Sequence, residues 1–310
     1  AGVVGSFQGA IAYAVCEKQG IPVYGLTTTH YGYYHYWQRE RTGITPGLED
    51  AYQQLKHSPG KLDHTEIGDV PSDTRSFIGT VNAKGTFSDL LKRSYRTLYR
   101  HVRYDMRGAK KTGEIYLEAK LRYLFQNFVN FRREVRRRYQ SFEEMAVGDY
   151  IYFPLHFEPE AALNALEPYF TNQMYAVELL SKGVPTGVDV LVKEHPQGIG
   201  NRPSHWMDII AGFPRVKLVH PLENSIEIIR RSMATATITG TAGLEAALLG
   251  KPVVSLGPSY RFNFVDHVFF ANELESLRTI LKRIQEQPDK PEYVRNGAAL
   301  AKAVEATCFI

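Results

Sequence analysis

Residues 187–257 constrain the chain more than any other stretch, because short apolar runs there alternate with glycine-bearing turns in an order that few folds accommodate. Residues 188–192, Val-Asp-Val-Leu-Val, form a run broken only by Asp189, and such a run predicts a buried parallel strand. It delivers Lys193, Glu194, His195 and Pro196 to its carboxyl end, the edge at which open α/β sheets bind ligands. Residues 235–238 predict a second such strand. Thr239-Gly240-Thr241-Ala242-Gly243 then turns into a helix expected over 244–249. The glycines allow a tight turn and close backbone approach, the helix start offers unpaired N–H groups, and the hydroxyls add donors. Together these make an anion cradle suited to phosphate. Lys251-Pro252 opens a further short strand over 253–256. Taken singly, a His-Pro pair after a strand can be purely structural and a Thr/Gly turn can be only a helix cap.

A chain of 310 residues with 44% hydrophobic content can bury a sizeable core, and the expectation is two domains, 1–148 and 149–310. No apolar run approaches the roughly 20 residues of a membrane span. The opening Ala1-Gly2-Val3-Val4-Gly5 has neither an initiator Met nor a basic region before an apolar run, so the chain is expected to begin inside a domain. Cys16 and Cys308 are too few for a disulfide framework and no Cys/His group has zinc spacing, which fits a reducing cytoplasm.

Taken in order, 9–19 predicts a helix and 23–26 a strand, followed by Thr27-Thr28-Thr29-His30 and the aromatic loop 31–37. Such a loop can form a sugar platform, since Tyr and Trp rings stack on pyranose faces, or it can pack onto its own domain. Residues 40–85 are read as loop with one helix near 46–56. Helices over 86–101 and 114–139 are expected to form a hairpin, the first with Leu90, Leu91, Tyr95, Leu98 and Tyr99 at apolar spacing. From residue 149 strands and helices alternate: strands at 149–153, 188–192, 216–219, 235–238 and 253–256, helices at 166–182, 203–211, 224–231 and 244–249, then two terminal helices. This pattern predicts a parallel sheet wound on both faces.

Charge is unevenly spread. Residues 92–138 hold 15 Lys/Arg against four Asp/Glu, a local excess of 11 positive charges, so with +4 overall the remaining residues carry −7. The basic hairpin reads either as a solvated face or as a contact with an anionic membrane surface or anionic glycan, with Arg132, Arg133, Arg136 and Arg137 as its densest group and Tyr99, Tyr104, Tyr123 and Phe131 able to sit at headgroup level. Nucleic acid is disfavoured, because no groove-reading motif or stacking module accompanies the charge.

Four segments together resemble the capsule polysaccharide biosynthesis family of bacterial surface-glycan enzymes: Phe153-Pro154-Leu155-His156-Phe157-Glu158-Pro159-Glu160-Ala161, Val192-Lys193-Glu194-His195-Pro196, His220-Pro221-Leu222-Glu223-Asn224-Ser225, and the run from Thr239 through Val254. The family includes transferases of 3-deoxy-manno-octulosonic acid (Kdo) and belongs with the GT-B glycosyltransferases. The resemblance covers residues 150–265 well and 1–148 loosely. It implies an α/β, GT-B-like fold of two Rossmann-like domains with parallel sheets, the basic hairpin being an insertion at 86–140. It also implies a nucleotide-sugar donor, CMP-Kdo being one such donor, and a glycan or lipid-linked acceptor; the basic hairpin, read as a membrane contact, places the chain on the inner face of the cytoplasmic membrane. By the same resemblance His195, Thr239 and Thr241 hold phosphate with the amides of Gly240 and Gly243, and Glu245 holds the ribose.

The residues themselves agree with this chemistry. Glycosyl transfer needs stabilisation of a departing phosphate, and preorganised N–H donors, hydroxyls and an imidazole supply it without a metal. No Asp-x-Asp motif occurs in the chain, so neither metal nor cofactor is expected. The acceptor hydroxyl needs a base, for which the candidates are Glu158 and Glu160 on the loop after the first C-terminal strand and His30 or His35 near the aromatic loop. His156 and His220, each at an apolar strand end, read as structural. A nucleotide-sugar epimerase and a non-catalytic glycan-assembly protein are the alternatives.

Overall fold

In the computed structural model, six parallel strands form the central sheet in the order β5-β4-β3-β6-β7-β8, all from the second half of the chain. The structure describes residues 7–29, 31, 34–38, 47–57, 86–105, 117–137, 139, 141–145, 148–158, 163–164 and 167–309. The strands are β3 (Tyr150–Pro154), β4 (Asp189–Lys193), β5 (Val216–Val219), β6 (Ala234–Thr237), β7 (Val253–Ser255) and β8 (Val268–Phe270). Tyr150 lies opposite Asp189 and Pro154 opposite Lys193, so β3 and β4 end level with each other.

Side chains alternate across the sheet as period-two geometry requires. Ile151, Phe153, Val190, Val192, Ala234, Ala236 and Val254 face one layer of helices, formed by α6 (Gln173–Gly183), α7 (Ser204–Ala211) and α10 (Leu274–Glu286). Tyr150, Tyr152, Leu191 and Val253 face the other, where α8 (Ser225–Arg231), α9 (Thr241–Leu248) and α11 (Pro291–Thr307) pack. Both faces are covered, so the strands are largely apolar, and each fully buried Leu, Ile or Phe contributes about 1.5–3 kcal/mol.

The N-terminal half holds α1 (Phe7–Lys18), an antiparallel pair β1 (Gly25–Thr28) and β2 (His35–Gln38), α2 (Leu48–Lys56), α3 (Phe87–Asp105), α4 (Leu117–Val135) and the short α5 (Phe142–Met145). The α/β class with a doubly wound parallel sheet, as in one half of a GT-B fold, is as expected. The second parallel sheet expected in 1–148 is not among the described residues, whose strands there are β1 and β2 only. Helix α2 packs on α11, and Leu48 and Tyr52 join the core beside Leu300 and Val304.

Of the aromatic loop expected over 31–37, residues 35–37 belong to strand β2. Its alternation buries Tyr36 and leaves Trp37 exposed, which is how aromatic residues suit a pleated, half-buried surface. Tyr36 and Tyr31 are packed into the protein, and Trp37 lies 6.2 Å from Phe309. Strand β8 went unanticipated because only three residues, one of them exposed, carry its pattern.

Candidate functional site at the sheet's switch point

Strand order dictates where a ligand is seated. From β3 the chain moves outward to β4 and β5, then crosses back to β6 on the other side of β3, so the sheet reverses direction between β3 and β6. At such a point the loops leave in opposite directions and a crevice opens beyond the carboxyl ends. His156 follows β3, Thr239 and Gly240 follow β6, and His195 follows β4. Adjacent strands are about 4.8 Å apart, so the loops after β4 and β6 flank His156 across roughly 10 Å, on the scale of a diphosphate.

The turn after β6 is built for close approach. The Gly240 amide donates to Thr237 Oγ1 at 2.9 Å, and the Thr239 amide donates to His156 Nε2 at 3.4 Å. A Cβ on Gly240 would stand 3.1 Å from the His156 ring. His156 thus buttresses the turn, which is the structural role expected of it. Helix α9 starts at Thr241, three residues earlier than the sequence pattern suggested, with Gly240 as an N-cap that makes no side-chain capping bond. The Gly243 amide is consequently turned inward, donating to the Gly240 carbonyl at 3.3 Å, so this glycine's role is packing. Thr241 is exposed at the helix start, and among the described residues the Thr241 and Ala242 amides have no protein acceptor. Thr239 Oγ1 is buried and lacks a hydrogen-bond partner.

His195 caps a short 3-10 turn, Pro196–Gly198, its Nδ1 accepting the Gln197 amide at 3.2 Å. That bond places the proton of the neutral ring on Nε2. Phe157 lies against the ring at 5.7 Å. Beneath it, Glu194 and Arg202 form a buried pair, Nε to Oε2 2.9 Å, and Glu194 Oε1 accepts the His195 amide at 2.7 Å. Arg202 also donates to the His156 carbonyl, lies 3.5 Å from Glu158 and stacks 4.6 Å from the centre of Trp206. Gln173 closes the cluster, accepting the His156 amide at 2.7 Å and donating to Glu158. Burial pushes the Glu194 carboxyl well up and Arg202 opposes it. Arg202 therefore ties the ends of β3 and β4 together, and Gln173 fixes the segment after β3 to α6. Neither was legible in the sequence.

Glu245 is half-buried on α9 and sends its field toward Lys193, Tyr152 and Tyr260. Lys193 Nζ donates to Ser225 Oγ at 2.6 Å, and burial lowers its pKa to about 8 against the pull of Glu245 and Glu223. The native state thus holds this proton less firmly than the unfolded chain does. Stability should rise between about pH 8 and about pH 10, where an unfolded lysine still carries its proton. Melting temperatures of Lys193→Met and wild-type protein over that range test this: the variant's curve should be flatter, and parallel curves would remove Lys193 as the cause.

His30 and Glu160 lie outside the described residues. His35 sits on β2, stacked 6.4 Å from Phe309, and its neighbour Tyr36 accepts a hydrogen bond from Arg261 in the loop after β7. Tyr260, Glu167 and a half-open cavity add to what the sequence showed. Glu167 is buried and accepts the Ser259 amide at 2.7 Å, fixing the loop after β7. The cavity, about 510 Å³, lies between the end of α4 and the loop after β5, walled by Val135, Arg136, Tyr139, Ile199, His220 and Leu222. His220 is set in that wall with its Nδ1 accepting the Leu222 amide at 3.2 Å and its ring edge-on to Tyr139, and burial lowers its pKa.

A doubly wound parallel sheet with a glycine turn and an uncapped helix start at its switch point defines an α/β protein of the class whose ligand crevices lie at the carboxyl strand ends. The chain belongs to the capsule polysaccharide biosynthesis protein family, which matches residues 110–265, half of its length. It is 38% identical over 95 residues to Protein FixF of Sinorhizobium fredii (strain NBRC 101917 / NGR234), a match covering 29% of this chain and 21% of that protein. The chain thus spans about a fifth of that relative. Among solved structures it is similar to the β-Kdo 2,4 transferase of Thermosulfurimonas dismutans KpsC, at 12% identity over 95% of this chain and 76% of that one, with a TM-score of 0.41. It is also similar to the UDP-GlcNAc 2-epimerase of Methanocaldococcus jannaschii in complex with UDP-GlcNAc and UDP, at 14% identity over 58% and 52%, with a TM-score of 0.37.

Proposed function

We propose that the protein is a glycosyltransferase that moves a sugar from a nucleotide-sugar donor to a surface or capsular polysaccharide acceptor, with the donor phosphates in the crevice between β3 and β6. The observation that carries this is the buried, unpartnered hydroxyl of Thr239 beside the open amides of Thr241 and Ala242. Leaving such a hydroxyl unpaired costs about 1–3 kcal/mol, and an anion on the turn accepts from the hydroxyl and the amides at once. Family membership supports the same role.

In the transfer, the acceptor hydroxyl oxygen bonds the anomeric carbon as that carbon's bond to the donor phosphate oxygen breaks. The phosphate leaves with the electron pair, and the hydroxyl proton passes to a base. His195, donating from Nε2, Thr239 and the α9 amides stabilise the charge that grows on the phosphate, so no divalent cation is required. Glu245 takes the ribose. Glu158, held at the same edge by Gln173 and Arg202, is the base among the described candidates.

Thermal-shift titration with CMP, UDP, GDP and their sugars, with and without EDTA, tests this reading. A nucleotide at about 100 times its dissociation constant should stabilise the fold by about 2.7 kcal/mol. His195→Ala, still folded though its cap on the Pro196–Gly198 turn is lost, should bind that nucleotide roughly tenfold or more weakly, since a hydrogen bond to a charged group contributes about 1.5–3 kcal/mol. Binding lost in EDTA and restored by magnesium would overturn the metal-independent step. Mass detection of an epimerised donor, rather than acceptor-dependent release of nucleotide, would replace transfer with epimerisation. If no nucleotide shifts the melting curve, the reading fails.

A further inference from the structure

Helix α3 presents an apolar face that is left exposed among the described residues. Phe87 is 64% exposed, Leu91 55%, Tyr95 69%, Leu98 47% and Val102 46%. At 100° per residue these five fall within an arc of about 80°, a stripe along the full length of the helix that Tyr99 widens to about 120°. A monomeric soluble protein rarely leaves so continuous an apolar stripe in water. Lys92, Arg93, Arg96, Arg100 and Arg103 occupy the adjoining arc of the same helix. Of these, Arg93 is paired with Asp89 at 3.0 Å.

The second helix of the hairpin fixes which way this face points. Toward its carboxyl end, α4 is anchored to the body. Phe131 is buried against Ile199, and Asn127 Nδ2 donates to Asn201 Oδ1 at 3.5 Å. Gly200, at φ +83°, lets the backbone approach so closely that a Cβ there would stand 2.7 Å from Phe131 Cβ. Just beyond α4, Arg137 pairs with Asp208 at 2.6 Å. With α4 docked and α3 packed on α4, the stripe of α3 is turned outward. One residue expected at headgroup level does not serve there. Phe131 is part of the anchor, and the Tyr104 side chain lies outside the described residues.

We infer that the exposed face of α3 is a docking surface for an anionic lipid bilayer. Rings and aliphatic side chains in one arc with basic residues beside them are what an interfacial helix needs: the apolar arc enters the headgroup region while Lys and Arg stems reach acidic headgroups from its flank. A second copy of the chain is the other candidate occupant, but apposing two such faces sets two clusters of cations against each other. An anionic bilayer is complementary to both halves of the surface, each cation contributing about 1 kcal/mol near it. No described helix is long and apolar enough to cross a membrane, so the contact lies in the interface plane. This inference goes beyond the donor site and does not rest on it.

Co-sedimentation of the full chain with vesicles of phosphatidylcholine alone, or with about 30% phosphatidylglycerol, tests it. The protein should pellet with the anionic vesicles at about 50 mM salt and be released roughly tenfold or more at about 500 mM, where the field is screened within a few ångströms. Leu91→Ser/Tyr95→Ser/Leu98→Ser and, separately, Arg96→Glu/Arg100→Glu should each lose vesicle binding by roughly tenfold or more while melting as wild type. Equal binding to neutral vesicles, or triple and double variants that both pellet like wild type, would overturn the proposal. So would a wild-type protein that ignores vesicles, and dimerisation in light scattering that the triple variant abolishes would then assign the face to a second copy.

Discussion

An Arg202→Met protein is expected to melt about 5–15 °C below wild type and to lose most of its nucleotide affinity. Arg202 is the sole basic partner of Glu194 among the described residues, Glu194 being only 2% exposed, and it also holds the His156 carbonyl and lies beside Glu158. Removing it strands a buried carboxylate, which costs about 3–5 kcal/mol, and unties the end of β3 from the end of β4. The shape of the methionine is tolerable, since its chain can lie along Trp206 as the guanidinium does. The lost charge is what matters. Burial already raises the Glu194 pKa, meaning the native state holds that proton more firmly than the unfolded chain. Stability from this group therefore increases as pH falls through its folded pKa, and without Arg202 the deficit should be smaller at about pH 5 than at about pH 8. Arg202→Met/Glu194→Gln should recover part of the loss at about pH 8, because a neutral amide is cheaper to bury than an unpaired carboxylate. A single variant that melts within about 2 °C of wild type at both pH values would show that the clamp carries no weight.

What the sequence disclosed follows what local pattern encodes. The runs at 188–192 and 253–256 are buried on both faces, so apolarity alone announces them, and the order of His195 and the 239–243 turn placed both at carboxyl strand ends. Arg202 and Glu167 stayed hidden because their partners are remote: the His156 carbonyl is 46 residues away and the Ser259 amide 92. Periodicity also misled at one point in an instructive way. Leu91, Tyr95, Leu98 and Tyr99 have core spacing yet are exposed, because a 3.6-residue repeat marks one face of a helix as apolar without saying what that face meets. Conversely Phe131, grouped with surface aromatics among arginines, is an anchor buried against Ile199.

Gly243 shows how a residue assigned to ligand contact serves the site by packing. A Cβ there would lie 2.4 Å from Tyr260 Oη and 2.7 Å from Thr237 Cγ2, both buried and both pinned, one in the core and one in β6. Gly243→Val therefore has to lift the first turn of α9 off the sheet, carrying the Thr241 and Ala242 amides and the Thr239 hydroxyl out of register. Overpacking of this kind costs about 1–3 kcal/mol of stability, and displacement of donors by about 1 Å is expected to weaken nucleotide binding by roughly a hundredfold. The cause can be separated from simple loss of stability. Gly243→Ala meets the same two atoms with a single methyl, and Tyr260→Phe removes the nearer of them. Tyr260 Oη is buried without a hydrogen-bond partner, so its removal should leave stability unchanged or raise it slightly. Gly243→Ala/Tyr260→Phe should accordingly bind nucleotide more tightly than Gly243→Ala alone, with calorimetry on the folded proteins as the readout. If Gly243→Ala binds like wild type, or if Tyr260→Phe gives no rescue, the close seating of α9 on Tyr260 is not what sets the cradle.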